Sequence, residues 1–183
     1  FTFLGWDSAW YLSIMTKGYG FSPQSYTFSP ALPFFSNLTN FVLQSPMVSI
    51  ALTALVFGLL WIPLYQLLAE SYIGKKAALF STLLLSFSPY IFVFTTVAYS
   101  EGVLLFFVLG AWLLFRKGRL FAASAFAIIA PLTRIMGILI VLPMLYVSFK
   151  QKSHRIRNIF LSLLPIVSLT AWFVGFGFSF GDF

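Results

Sequence analysis

The chain carries four carboxylates, Asp7, Glu70, Glu101 and Asp182, so acid–base chemistry has few candidates. Asp7 is the only acid in the first 69 residues. It stands among aromatic residues in Gly5-Trp6-Asp7-Ser8-Ala9-Trp10-Tyr11, ahead of Lys17-Gly18-Tyr19-Gly20. A carboxylate in such surroundings loses hydration and is pushed toward the protonated form unless a cation or hydroxyl offsets the loss, the usual setting of a general base. The alternative is structural: Asp7 or Ser8 can cap the first turn of a helix. Glu101 follows Tyr99-Ser100 where an apolar run begins, and a charge at that depth is costly without a partner. Arg134, in the middle of another apolar run, is the available one. Either the two form a structural ion pair, or Arg134 binds a phosphate while Glu101 orients that phosphate or the group attacking beside it. Lys17 is a second candidate phosphate ligand.

Other chemistries find no residues. Cysteine is absent, which removes disulfides, thiol nucleophiles and Cys-based metal sites. The single histidine, His154, sits in the basic run Lys150-Gln151-Lys152-Ser153-His154-Arg155-Ile156-Arg157 and reads as a solvated loop residue. There is no Asp-x-Asp metal motif and no Gly-rich phosphate loop. A nucleotide-sugar donor held by Mg²⁺ is therefore not expected, nor is any other metal or cofactor.

The elements that must position these residues are membrane helices. Of 183 residues 60% are hydrophobic, 20% aromatic and 8% charged, with a mean hydropathy of +0.97. A soluble domain carries about 25% charged residues. The net charge of +7 does not indicate nucleic acid, because the basic residues fall in short clusters between apolar runs, as the positive-inside rule describes. Beginning at Phe1 and ending at Phe183 after an apolar run, the chain is expected to be a piece of a longer polytopic protein. Its start lacks the basic region and apolar core of a signal peptide.

Crossing ~30 Å of hydrocarbon takes ~20 helical residues. Spans are expected at Phe41–Leu68, kinked by Pro63, at Ala77–Val97 with Ser88-Pro89 inside it, at Tyr99–Phe115 and at Ile159–Phe178. The stretch from Leu120 to Phe149 is about 45 Å as one helix, too long for one span and too short for two full ones. If Lys75-Lys76, Arg116 to Arg119 and Lys150 to Arg157 all face the cytoplasm, an even number of passes must separate them. The stretch then divides into two short helices, Leu120–Leu132 and Ile135–Phe149. Their turn at Thr133 to Gly137 is sunk below the outer surface, where backbone needs protein or water around it. The result is an all-α, polytopic bundle of about six membrane helices over 41–183, with an amphipathic outer loop over 1–40 and a cavity on the non-cytoplasmic side. Asp7, Glu101, Asp182 and Arg134 fall on that side, and Glu70 on the other.

In the outer loop, Trp6, Trp10 and Ile14 form an i, i+4, i+8 stripe suited to a short interfacial helix. Tyr19, Phe21, Tyr26, Phe28, Phe34 and Phe35, with Pro23, Pro30 and Pro33, describe a non-helical aromatic loop. Such rings serve as an interfacial belt, and sugars also stack on them. Asn37-Leu38-Thr39 is a glycosylation sequon close to the first span.

At these residues the chain resembles the GT-C glycosyltransferases, specifically the GPI mannosyltransferase II (PIG-V-like) group and its archaeal and bacterial relatives. The likeness rests on Trp6-Asp7-x-x-Trp10-Tyr11 with Gly18-Tyr19, on Phe28-x-Pro30-x-x-Pro33, on Ala98-Tyr99-Ser100-Glu101, and on Leu132-Thr133-Arg134-x-x-Gly137. It departs from the family at Trp10-Tyr11, where eukaryotic members more often carry His-Phe, and the family has more spans on both sides.

The resemblance implies an inverting enzyme that moves mannose or a similar hexose from a polyprenyl- or dolichyl-phosphate donor to a lipid or glycan hydroxyl on the non-cytoplasmic face. That face belongs to the cell membrane in a prokaryote and to the endoplasmic reticulum in a eukaryote. It makes Asp7 the catalytic base. The chemistry of the residues agrees: inverting transfer needs positive charge at the leaving phosphate, which Arg134 can supply, with Lys17 a weaker candidate, and Trp6, Trp10, Tyr11, Tyr19, Tyr99 and Glu101 are the expected substrate-binding residues. Membrane lipids are implied partners, and the resemblance leaves room for a partner subunit. A lipid-linked substrate transporter or flippase, or a non-catalytic membrane scaffold subunit, would also want outer-face charges; a transporter should show inverted repeats with matching broken helices, which the sequence lacks.

Overall fold

The computed structural model describes residues 5–151 and 153–180, and Asp182 lies outside them. The described residues are helical, without a strand: α1 Asp7–Lys17, α2 Ala31–Leu43, α3 Pro46–Ile73, α4 Lys75–Ser86, α5 Pro89–Thr96, α6 Glu101–Arg116, α7 Leu120–Thr133, α8 Val141–Lys150 and α9 Arg155–Phe180. The all-α expectation holds. The expected six spans do not appear as six full-length apolar helices. α3 and α9 are long and apolar enough to cross a membrane, and α4 with α5 makes a third span if that pair, bent by 68°, is counted as one. This much makes the chain a membrane protein.

Several boundaries move for local reasons. The first span begins at Pro46, not Phe41: Gln44 adopts a left-handed conformation that ends α2, and Pro46 starts α3 at its first turn, where a missing N–H costs nothing. α2 thus crosses the boundary expected at residue 40. Phe34 and Phe35 lie in this helix and not in an irregular loop, because Pro30 and Pro33 occupy its cap and first turn, where proline is tolerated. Only two short 3₁₀ turns, Tyr19–Phe21 and Pro23–Thr27, precede it. α3 continues through Pro63. The sequon falls inside α2, where the Thr39 hydroxyl is 2.9 Å from that of Thr53 on α3.

The bundle has two chemically distinct ends. At one, Arg116 donates to Ser71 Oγ (3.1 Å) and stacks 4.3 Å over Tyr72, just before Gly74-Lys75-Lys76. The loop after Arg116 shares a cleft with Gln151, His154 and Arg157. The three basic clusters meet there, beside Glu70. At the other end stand Asp7, Glu101 and Arg134. α6 and α7 connect the two ends with 16 and 14 residues, only about 24 and 21 Å. Both are shorter than the ~30 Å hydrocarbon core. The acidic end is therefore recessed relative to α3, whose 28 residues reach about 42 Å.

Close helix contacts hold this geometry. A Cβ on Gly102 of α6 would sit 2.8 Å from the backbone of Gly58 on α3, so the two helices cross at glycines, a packing mode suited to lipid. Buried hydroxyls on the helices bond back to their own backbone, as in Ser36 to Leu32, Thr82 to Ala78 and Ser148 to Met144. They need no water.

Single cysteines at Gln24 and Ser153, both exposed and at opposite ends, should react with an impermeant maleimide from opposite sides of a sealed membrane. Labelling of both from one side would contradict the two-ended arrangement. Ser100, an obvious outer-face position from sequence, is fully buried and unsuited to this test.

Candidate active site

The site is assembled from three chain segments. Asp7 opens α1, directly after Trp6, which holds a positive φ of 53°. That is a conformation bulky residues rarely adopt. Neither Asp7 nor Ser8 is the cap of α1. Trp6 holds that position without a side-chain bond, which corrects the capping alternative. Glu101 opens α6, directly after buried Tyr99 and Ser100. Arg134 is the extended residue that ends α7, before the 3₁₀ turn Ile135–Ile140 leads into α8. Gly137 pins this turn, since a Cβ there would lie 2.2 Å from the Ala130 carbonyl oxygen. Gly137→Ala should lower thermal stability by about 1–3 kcal/mol, the usual cost of overpacking a tight contact. An unchanged melting curve in detergent would show that the turn is loose.

Arg134 is the hub. Its Nη1 lies 3.0 Å from Glu101 Oε1, its Nη2 3.8 Å from Asp7 Oδ2, and its Nε donates to Ser100 Oγ at 3.1 Å. Ser100 Oγ is also 3.0 Å from the Tyr11 hydroxyl. Burial pushes the Tyr11 phenol up from its ordinary value, partly offset by the Ser100 bond and Arg134, so it stays protonated at neutral pH. Tyr99 is buried directly before Ser100, and burial raises its phenol from the ordinary value, with Asp7, Glu101 and Arg134 close enough for their charges to act on it.

The three charged side chains differ in exposure. Arg134 is 35% and Asp7 44% exposed, Glu101 only 13%. Glu101 Oε2 is buried without a hydrogen-bond partner. Glu101 is thus the tight structural partner of Arg134, and Asp7 the loose one facing open space.

That space is a cavity of about 660 Å³. Asp7, Tyr11 and Arg134 supply its polar wall. Tyr26 and Phe28 from the loop, Ile135 and Met136 from the turn, and Trp172 and Phe173 from α9 supply most of the rest. A polar floor against aromatic walls can bind an amphiphilic ligand carrying hydroxyls or a phosphate.

The structure brings together Asp7, Tyr11, Tyr99, Glu101 and Arg134. Other sequence candidates fall elsewhere. Trp6 precedes α1 in a non-helical conformation and is 82% exposed, so the expected stripe keeps only Trp10 and Ile14, of which Ile14 is buried. Trp10 stacks on Phe28 at 5.5 Å, behind the cavity wall. Tyr19 donates to the Phe28 carbonyl and packs edge-on against Trp172, shaping the loop rather than lining the cavity; burial raises its phenol as well. Lys17 lies over the Phe21 ring, 5.8 Å from its centre, and does not line the cavity. Ser100 and Trp172 are additions. Ser100 sits inside the quoted Tyr99-Ser100-Glu101 motif, and Trp172 is the only tryptophan of the last apolar run, so both carried a readable signal.

No protein family model, no curated protein and no solved structure matches the chain.

Proposed function

We propose that this protein is an inverting glycosyltransferase that moves a hexose, mannose by resemblance, from a polyprenyl- or dolichyl-phosphate donor to a lipid- or glycan-linked hydroxyl on the non-cytoplasmic face. The observation that carries the reading is the placement of Asp7 and Arg134 on one wall of an aromatic cavity, at the end of the bundle opposite the basic clusters. In this reading α3, α4 with α5, α6, α7, α8 with its preceding turn, and α9 are six membrane passes, several of them short enough to need local thinning of the bilayer.

Counted as two carboxylates against one guanidinium, Asp7, Glu101 and Arg134 carry a formal charge of −1, unfavourable for an arriving phosphate. The geometry suggests the remedy. Glu101 and Ser100 hold Nη1 and Nε, while Nη2 meets Asp7 only at 3.8 Å. A donor phosphate can take Nη2 in place of Asp7, and this frees the carboxylate to act as base. Asp7 then removes the proton of the acceptor hydroxyl, and its oxygen attacks the anomeric carbon from the face opposite the phosphate. The carbon–oxygen bond to phosphate breaks, and polyprenyl phosphate leaves with the bond's electron pair. Arg134 stabilises the charge that develops on it.

Membranes containing the full-length protein should transfer sugar from a polyprenyl-phosphate donor, and free polyprenyl phosphate should inhibit the reaction. Transfer supported only by a nucleotide sugar and Mg²⁺ would overturn the donor class. The 68° break between α4 and α5 favours a transporter as the second reading, because discontinuous helices frame transporter sites. That reading expects the labelled lipid to cross the bilayer chemically unchanged.

A further inference from the structure

A second cleft lies at the opposite end of the bundle, with a volume of about 390 Å³, between the loop after α6 and the start of α9. Arg116, His154 and Arg157 line it together with Gln151 and Asn158, and among the described residues no carboxylate does. Among the described residues, no acid lies within ion-pair distance of Arg116 or Arg157. Nearby Glu70 is engaged at 2.8 Å by Gln66 on its own helix. α9 begins at Arg155 beside this cleft, and the first amides of a helix add N–H donors and a positive dipole end. The floor is preorganised: Asn158 donates to Gln151 at 2.6 Å, and Arg157 Nε lies 3.4 Å from Asn158 Oδ1.

The level of the cleft identifies the source of the anion. Arg116 stacks on Tyr72 at 4.3 Å, Lys150 lies 4.3 Å over Tyr146, and Trp112 donates to the Tyr72 hydroxyl at 3.1 Å. Such a ring of Tyr, Trp and cations marks the headgroup layer. Basic pockets between membrane helices at that layer take anionic headgroups.

We propose that this cleft binds the phosphate of an anionic phospholipid, held by Arg116, Arg157 and the start of α9. The site is independent of the proposed transfer reaction, about one α6 length away from it.

The test is native mass spectrometry of the full chain in detergent, titrated separately with dioleoyl phosphatidylglycerol, dioleoyl phosphatidylcholine and inorganic phosphate. Phosphatidylglycerol should be retained, phosphatidylcholine should bind about tenfold more weakly or less, and inorganic phosphate should not displace the anionic lipid. Arg116→Gln/Arg157→Gln should weaken retention about tenfold or more, since each basic residue at an anionic surface contributes materially. Arg157→Gln alone, at an exposed position, should weaken it severalfold without touching the Arg116–Tyr72 packing. Arg116→Lys/Arg157→Lys should keep most binding. Unchanged retention in either glutamine variant, or equal retention of phosphatidylcholine, would overturn the site. Displacement of the lipid by inorganic phosphate would overturn the lipid as its source.

Discussion

Asp7→Asn should reduce sugar transfer by at least ~10²-fold while expression and melting temperature stay near wild type. The substitution preserves size and shape, and the position contributes little folding energy: Asp7 is 44% exposed, caps no helix, and its contact with Arg134 is long at 3.8 Å. A surface-type ion pair of this geometry contributes 0–1 kcal/mol. What asparagine cannot do is accept the proton of the acceptor hydroxyl, and general base catalysis typically contributes 10²–10⁴-fold. Turnover within about threefold of wild type would remove Asp7 from the mechanism.

The second large effect belongs to Arg134. Arg134→Ala should nearly abolish transfer, but this variant also leaves Glu101 buried without a counter-charge, a loss that commonly costs 3–5 kcal/mol. The decisive comparison is Arg134→Met/Glu101→Leu, which replaces the tight pair by apolar groups of similar volume. Such replacements are often neutral or stabilising in a buried site. This double variant should fold and melt near wild type yet show a transfer loss of at least ~10²-fold, as expected when a transition-state donor is removed. Arg134→Lys keeps the charge but loses the Ser100 bond and the second edge of the guanidinium. It should fall about 10- to 100-fold, in line with roughly 1.5–3 kcal/mol for a charged hydrogen bond. Normal transfer by the double variant would show that Arg134 and Glu101 only hold the helices together.

Much of this arrangement was legible in the sequence, and the physical reason is charge scarcity in an apolar chain. A buried cation must meet an anion, so Arg134 and Glu101 could be paired before any coordinates, and the 3.0 Å contact bears this out. The spacing of basic clusters forced the hairpin of α7 and α8, and its turn lies at Arg134 as expected. Local periodicity was a poorer guide. The run from Phe41 to Leu68 reads as continuous apolar sequence, and only the left-handed Gln44 divides α2 from α3. Aromatic residues with prolines read as an irregular loop, although Pro30 and Pro33 start a helix. The cavity wall was harder still. Trp172 comes from α9, more than 160 residues from Asp7, and no short-range pattern encodes that contact. Lys17, close in sequence to Asp7, points along the outside of α1 toward Phe21.

The proposed activity of the Asp7–Arg134 cavity is sugar transfer from a lipid phosphate. The most direct test uses purified full-length protein in liposomes with a radiolabelled polyprenyl-phosphate mannose and a lipid extract as acceptor. The account predicts time-dependent label in a new product with inverted anomeric configuration, and release of polyprenyl phosphate in equal amount. Label that remains wholly on the donor in the presence of that extract, whether or not the donor crosses the bilayer, would contradict it.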